Sequence, residues 1–176
     1  MNSDKIIENN KNYWNEHADL WFGTTALPVY GVRFPTEDDL HLFGDVTGKK
    51  MLEICCGSGH SLKYNAEKGA GELWGVDLSQ KQLDNAAELL KDNGYSAKLI
   101  CSKMEDELDV PRDYFDYVYS IYGIGWTTDL QINTAGRPAL RSYIYMSIRK
   151  HPARFLRLAG CSYKYLNLLL IFLRNY

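Results

Sequence analysis

The chain has 176 residues and a net charge of −2, with 45% hydrophobic and 24% charged residues. This length and composition predict one globular domain that buries a core. The near-neutral charge gives no electrostatic reason to expect a nucleic acid partner. The longest apolar run, residues 166–173, is far shorter than the roughly 20 residues of a spanning helix. We therefore expect no membrane partner.

The first 45 residues are predicted to be helical and then irregular, a segment that could act as a lid. Thr36 before three acidic residues is typical of a helix N-cap. The helical part is predicted from apolar and aromatic residues at intervals of three and four. These residues are Tyr13, Trp14, His17, Leu20 and Trp21.

From residue 46 to about residue 130, strand and helix patterns alternate. Strands are predicted at 50–55, 72–76, 97–101 and 114–120, and helices at 60–68 and 80–93. Ser79 precedes the second helix as an N-cap, and Gly94 follows it. Strands alternating with helices predict right-handed βαβ units and a parallel sheet, hence an α/β fold.

The turn after the first strand is the candidate ligand site. Gly57 and Gly59 let the backbone approach a ligand, and a helix N-terminus follows. Leu62 replaces the third glycine of a dinucleotide fingerprint. Glu53 can face a cationic amino group, and Asp77, 20 residues after Gly57, can accept ribose hydroxyls. The pattern indicates a nucleoside that carries an amino acid.

Three segments carry a resemblance to a known family: LEICCGSGHS, GVDLS and MEDELDVPRDYFDYVYSIYGIGWTTDL. Together they resemble class I S-adenosylmethionine-dependent methyltransferases of the bacterial small-molecule type, over residues 10–131. The resemblance implies a Rossmann-like, doubly wound, mostly parallel sheet, incomplete in its C-terminal half. It also implies transfer of a methyl group from S-adenosyl-L-methionine to an unidentified small-molecule acceptor.

The resemblance assigns roles in cofactor binding. Glu53 and the glycine turn hold the methionine part, and Asp77 binds the ribose hydroxyls. Residues after the second and third strands lie against the adenine, and Ser120 lines the methionine side. The expected cofactor-binding residues are Glu53, Cys55, Gly57, Ser58, Gly59, Asp77, Leu78, Met104, Glu105 and Ser120.

Two cysteines depart from the family pattern. The family's first turn glycine falls on Cys55, whose small side chain fits there if the backbone keeps a negative φ. We expect its thiol to pack, with contact to the sulfonium region as the alternative, and Cys56 to be buried behind the loop. The four cysteines lack the spacing of a metal site. With a polar N-terminus unlike a signal peptide, they favour reduced thiols in a cytoplasmic protein.

The chemistry of methyl transfer requires alignment more than a general base, so we assign no catalytic residue. Trp126 and Tyr122 are candidates for an acceptor pocket. The sequence SIYG stands where amino-methylating enzymes of DNA carry an Asn/Asp-Pro-Pro-Tyr/Phe turn, which favours a small metabolite over nucleic acid. The aromatic residues proposed for the lid, with packing on the domain as the alternative, are Tyr13, Trp14, His17, Trp21 and Tyr30.

The segment 131–176 differs from everything before it. All 22 acidic residues lie at or before Asp129, which leaves a net charge of −10 there and +8 after it. Three interpretations stay open: a divergent cationic end, a shifted reading frame near residue 131, or a splice or fusion. A truncated or frameshifted inactive protein is therefore one alternative to an active methyltransferase. An NAD-dependent oxidoreductase is the other, because the glycine turn is also typical of dinucleotide-binding folds, although Glu53 and the missing third glycine count against it. The sequence assigns no acceptor, methylated atom or oligomeric state.

Overall fold

A four-stranded parallel sheet with the order β3-β2-β1-β4 organises the chain. The computed structural model describes residues 3–24, 26–30, 35–111, 113–126 and 128, so the atypical segment 131–176 and its three interpretations lie outside the described residues. The strands are β1 (Lys50–Ile54), β2 (Glu72–Asp77), β3 (Lys98–Cys101) and β4 (Tyr117–Tyr119). The predicted parallel α/β sheet is confirmed.

Four helices accompany the sheet in the described part of the chain, followed by a 3-10 turn at Gly123–Trp126. Two precede the sheet and two connect its strands, β1 to β2 and β2 to β3. None of the helices within the described ranges has the length and apolar character needed to cross a membrane. The helices are α1 (Ser3–Glu16), α2 (Glu37–Leu40), α3 (His60–Glu67) and α4 (Gln80–Asp92).

The two faces of the sheet bury separate apolar clusters, because alternate residues of a strand point to opposite faces. Met51 and Leu73 belong to the cluster that includes Leu62 of α3 and Leu83 and Leu90 of α4. The other face carries a second cluster, which loop residues complete. Its buried members are Leu52, Ile54, Trp74, Val76, Leu108, Phe115 and Val118.

Both predicted N-caps are present. The Gln82 N–H donates to Ser79 Oγ at 3.2 Å, which begins α4. The N–H of Thr36 donates to Asp39 Oδ2 at 2.9 Å, which begins α2. In each contact a side-chain oxygen accepts a hydrogen bond from a backbone N–H group at the start of a helix. The helix starts predicted from the sequence are therefore correct.

The structure corrects two predicted elements. The fourth strand, predicted at 114–120, covers only Tyr117–Tyr119; Phe115, which precedes it, packs in the second apolar cluster. The first helix ends at Glu16 rather than continuing to Trp21. It contains no buried residue. The chain from residue 17 to Trp21 forms turns instead of continuing the helix.

Glu72 at the start of β2 joins three parts of the fold. Its carboxylate accepts hydrogen bonds from Tyr114, from Trp74 Nε1 at 2.9 Å and from Lys98 Nζ at 3.2 Å. These donors, Tyr114 first, lower the pKa of Glu72 to about 2. The stabilisation is present above the unfolded-state pKa of about 4.3 and is lost as pH falls towards 2.

We therefore expect Glu72→Gln to flatten the loss of stability between about pH 4.5 and pH 2. Urea unfolding midpoints measured across this range for the wild type and the variant give the comparison. Glu88→Gln, on an exposed position of α4, is the matched control and should leave the acid-side slope unchanged. Equal slopes in the wild type and Glu72→Gln would show that the three contacts do not stabilise the ionised carboxylate.

Candidate functional site

A cavity of about 420 Å³ lies at the carboxyl ends of the strands. Residues 55–58 after β1, Asp77 and Leu78 at the end of β2, residues 102–105 after β3 and residues 121–123 after β4 all line it. In open parallel sheets, ligands bind outside the carboxyl ends of the strands at the point where the strand order reverses. The cavity occupies that position beside β1.

Asp77 fixes the shape of the glycine turn. Its Oδ2 accepts a hydrogen bond from the Gly57 N–H and its Oδ1 one from the Ser79 N–H, both at 2.9 Å. Burial is the main influence on its carboxyl and raises the pKa of Asp77, against the lowering by these donors. One carboxylate therefore holds together the loops that follow β1 and β2.

Gly59 permits a close approach of the turn to α4. Its φ is +76°, and a Cβ at this position would come within 2.8 Å of the Ala86 Cβ. Gly57 also has a positive φ, of +51°. A residue with a side chain at 59 would push the turn away from α4, so the glycine is required both for the backbone conformation and for packing.

Glu53 is buried behind the cavity rather than in its lining. It is 2% exposed, and Tyr119 OH donates to its Oε2 at 3.4 Å. Ser61 also hydrogen-bonds its carboxyl, but burial dominates and raises the pKa of Glu53 well above its usual range. The side chain thus joins β1, β4 and α3, and its predicted contact with a methionine amino group stays a prediction.

Cys55 lines the cavity with a backbone φ of +59°, so the expectation of a negative φ is wrong. The turn forces the left-handed conformation that a glycine adopts freely, and the cysteine adopts it under strain. Its Sγ lies 4.0 Å from Met104 Sδ, and burial raises the pKa of the thiol. Cys56 is buried, as predicted, at 6% exposure.

This strain predicts a difference between two variants that both lack the thiol. We expect Cys55→Gly to unfold with about 1 kcal/mol more free energy than Cys55→Ala, because only alanine retains a Cβ at positive φ. Urea unfolding of the pair measures it. The same exchange at Cys101, an exposed residue of β3, should show no advantage for glycine. A Cys55→Ala variant as stable as Cys55→Gly would contradict the strain.

The cavity brings together seven of the ten expected cofactor-binding residues. Glu105 is among them, and its Oε1 accepts a hydrogen bond from the Thr128 N–H at 3.0 Å. Glu53, Gly59 and Ser120 do not line it, and Ser120 Oγ is buried without a hydrogen-bond partner among the described residues. The seven are Cys55, Gly57, Ser58, Asp77, Leu78, Met104 and Glu105.

Part of the predicted lid covers the cavity. Tyr13, Trp14 and Trp21 line it, whereas His17 does not; His17 is partly buried, with its Nδ1 2.9 Å from Tyr13 O. Tyr30 lies in the core and donates to Glu37 Oε2 at 2.7 Å. The aromatic segment is therefore both the roof of the cavity and, at Tyr30, part of the packed domain.

The acceptor-pocket candidates also line the cavity. Trp126 packs edge-to-face on Trp14 with ring centroids 5.3 Å apart, which connects the roof to the turn after β4. Tyr122 follows that strand and contributes to the same wall. The cavity thus has an aromatic part beside the polar turn that Asp77 anchors.

Side-chain hydrogen bonds attach the N-terminal segment to α3 and to the start of α4. Asn15 Oδ1 accepts from Ser79 Oγ at 2.8 Å and from the Lys81 N–H at 3.2 Å. The Leu27 N–H donates to Ser61 Oγ at 3.1 Å. Sequence patterns did not reveal these contacts, because they join residues far apart in the chain and follow no local periodicity.

Two further residues line the cavity that were not among the expected cofactor-binding residues: His60, which stands beside the turn in the sequence, and Gln82. His60 places Nδ1 3.1 Å from Ser58 Oγ, and burial lowers its pKa. Gln82 is 4% exposed in α4, and its Oε1 has no hydrogen-bond partner among the described residues. The buried face of α4 carries two polar residues, Gln82 and Asn85, beside Leu83, Ala86 and Leu90, and this departure from an apolar face was the available signal for Gln82.

Comparisons with known proteins identify the family. The methyltransferase domain family matches residues 51–142. A protein of Haemophilus influenzae, described as uncharacterized, is 34% identical over 86 residues, which are 47% of this chain and 34% of that protein. The demethylmenaquinone methyltransferase of Bacillus subtilis is 34% identical over 80 residues, 44% of this chain and 34% of the relative. The chain thus aligns with about a third of the length of these relatives.

Solved structures share the fold. Magnesium protoporphyrin IX methyltransferase from Synechocystis has a TM-score of 0.51 at 17% identity, covering 69% of this chain and 64% of that one. The [4+2]-cyclase SpnF has a TM-score of 0.52 at 19% identity, covering 64% and 47%. The Rossmann-like methyltransferase fold is therefore confirmed. The family match over residues 51–142 confirms the resemblance to methyltransferases, and this chain belongs to the methyltransferase domain family.

Proposed function

We propose that this chain transfers a methyl group from S-adenosylmethionine to a small-molecule acceptor. The observation that carries the proposal is the Asp77 carboxylate at the end of β2, which holds the glycine turn by the Gly57 N–H at 2.9 Å and lines the cavity. The second lone pairs of its oxygens remain available for ribose hydroxyls. A nucleoside bound there lies against the turn and the carboxyl ends of the strands.

The other expected residues give the cavity an apolar part and a polar part. Leu78 and Met104 supply apolar surface for an adenine ring, while the Gly57 and Ser58 backbone allows the methionine part to pass. Glu53 and Ser120 support this arrangement from behind the lining, and their contribution to binding is part of the proposal. Cys55 packs between the turn and Met104, with its Sγ 4.0 Å from Met104 Sδ.

The cofactor supplies a methyl group already activated on a sulfonium, so the chain's own residues need to align the acceptor and exclude water. The aromatic roof of Tyr13, Trp14 and Trp21 serves this purpose over the cavity. No residue is assigned as general base. His60 lines the cavity, and burial lowers its pKa, which favours the neutral imidazole.

The charge of the chain supports a small-molecule acceptor. The net charge of −10 over the first 129 residues disfavours a nucleic acid substrate. The free thiols of Cys55, Cys56 and Cys101 support a reducing, cytoplasmic location. The relatives align with less than half of this chain and about a third of their own length, so their acceptors do not identify this one.

The proposal is tested by calorimetric titration of the purified chain with S-adenosylhomocysteine and, separately, with NAD. We expect a dissociation constant on the order of micromolar for S-adenosylhomocysteine and no measurable binding of NAD. Leu62, buried in the core where a dinucleotide fingerprint has glycine, is the reason for the second expectation. Tighter binding of NAD would favour the oxidoreductase, and a folded chain that binds neither would favour the inactive alternative.

A further inference from the structure

Four aromatic residues from three separate parts of the chain meet in the wall of the cavity. Tyr13 and Trp14 come from α1, Trp21 from the turns that follow it, and Trp126 from the 3-10 turn after β4. Trp14 contacts the other three rings edge-to-face, with its centroid 5.4 Å from that of Tyr13, 6.2 Å from Trp21 and 5.3 Å from Trp126. Together the four residues form the aromatic cluster.

The aromatic cluster keeps apolar surface that the fold does not bury. Trp126 is 50% exposed, and Tyr13 and Trp21 are exposed as well. Single exposed apolar residues are normal on a protein surface, whereas a contiguous group of them marks a binding site. The polar ends of two rings are already paired, because Trp21 Nε1 donates to Tyr13 OH at 3.2 Å. The cluster therefore offers a ligand ring surface more than hydrogen bonds.

Among the described lining residues, those from α1 carry no charge. The charged lining residues follow β2 and β3, and each already has a protein partner. Asp77 accepts from two backbone N–H groups, Lys103 Nζ lies 3.4 Å from Asp106 Oδ1, and Glu105 accepts from the Thr128 N–H at 3.0 Å. A charged acceptor at the aromatic cluster would lose hydration without gaining a counter-charge, which is costly. The cluster thus favours an uncharged ligand.

We propose that the acceptor is an uncharged aromatic compound whose ring packs against the aromatic cluster, with Trp126 as the main contact. This proposal rests on the proposed function and names the substrate class for it. Aromatic pairs gain free energy beyond the area that they bury, and the acceptor covers ring surface that otherwise faces water. The cluster and the glycine turn line the same cavity, so an acceptor held there is brought close to the cofactor.

The test uses naphthol as the probe and the chain saturated with S-adenosylhomocysteine, so that the cofactor end is already filled. Its saturated analogue decahydronaphthol has the same carbon skeleton without the planar rings. In calorimetric titration we expect naphthol to bind about tenfold more tightly than decahydronaphthol and more tightly than choline. Equal binding of the two alcohols would overturn the proposal. Tighter binding of choline, through contact of a cation with the ring faces, would overturn it too.

Two variants of Trp126 separate recognition from packing. We expect Trp126→Leu to weaken naphthol binding about tenfold, and Trp126→Phe to retain most of it, because phenylalanine keeps an aromatic ring. Phe22→Leu is the matched control, since it removes an exposed aromatic ring that does not line the cavity, and it should bind naphthol as the wild type does. A loss as large in Trp126→Phe as in Trp126→Leu would contradict recognition through the ring.

The affinity for S-adenosylhomocysteine distinguishes this proposal from the proposed function. Trp126→Leu should bind S-adenosylhomocysteine as the wild type does, and a parallel loss would assign Trp126 to the cofactor and overturn the proposal. A folded wild type that does not bind S-adenosylhomocysteine would refute the proposed function and the acceptor class with it. A chain that binds S-adenosylhomocysteine but has no preference for naphthol would refute the acceptor class alone.

Discussion

Asp77→Asn is expected to weaken S-adenosylhomocysteine binding about a hundredfold. The substitution removes the charge that strengthens hydrogen bonds to two ribose hydroxyls, each worth about 1.5–3 kcal/mol when the acceptor is ionised. It also replaces one carboxylate oxygen by an amide nitrogen, which cannot accept from the N–H of Gly57 or Ser79. The turn therefore loses one of the two 2.9 Å contacts that shape it.

Calorimetric titration of the wild type and Asp77→Asn measures this loss, with circular dichroism confirming that the variant is folded. Asp92→Asn, the same change at an exposed position of α4, is the matched control and should bind normally. A folded Asp77→Asn chain with wild-type affinity would contradict the assignment of Asp77 to the ribose and, with it, the site proposed here.

Gly123→Ala is expected to destabilise the chain by about 2 kcal/mol, through a clash with a single neighbour. A Cβ at Gly123 would lie 2.0 Å from the Cys55 Cβ and 3.0 Å from its Sγ. Real side chains never approach so closely, so the turn after β4 must move away from the turn after β1. Overpacking of this kind typically costs about 1–3 kcal/mol.

A double-mutant cycle isolates the cause. In a Cys55→Gly background the Cβ and Sγ are gone, and the nearest remaining atom is the backbone oxygen of residue 55 at 3.2 Å. We expect most of the penalty of Gly123→Ala to disappear there, which gives a coupling energy of about 1–2 kcal/mol in urea unfolding. An equal penalty in both backgrounds would place the cost in the backbone at Gly123 instead.

The sequence was sufficient to predict the parallel sheet, the order of strands and helices along the chain, and the two N-caps. Each of these depends on local signals: buried runs such as residues 50–54, the apolar face of α4, and Ser79 or Thr36 at a helix start. The cavity follows from the same signals, because the ends of parallel strands meet at one edge. That is why seven expected site residues lie together.

Features that depend on distant contacts were not predictable from one sequence. The positive φ of Cys55 is set by the turn, and Gly123, 68 residues later, accommodates the side chain. Three other features also depend on how separate segments pack. They are the hydrogen bond of Tyr30 to Glu37, the end of the first helix at Glu16 and the unpaired oxygen of Gln82. No local periodicity encodes which groups meet when separate segments pack.

The N-terminal roof has a consequence for how ligand occupancy can be observed. Helix α1 buries no residue, and Asn15 attaches its end to the start of α4 through two hydrogen bonds. Its amide protons should therefore exchange with solvent through a local opening of small free energy, far below that of global unfolding. If the opening requires the ligand beneath Tyr13 and Trp14 to leave, binding slows that exchange by a factor of 1 + [L]/Kd, so amide exchange in the helix reports whether the site is filled.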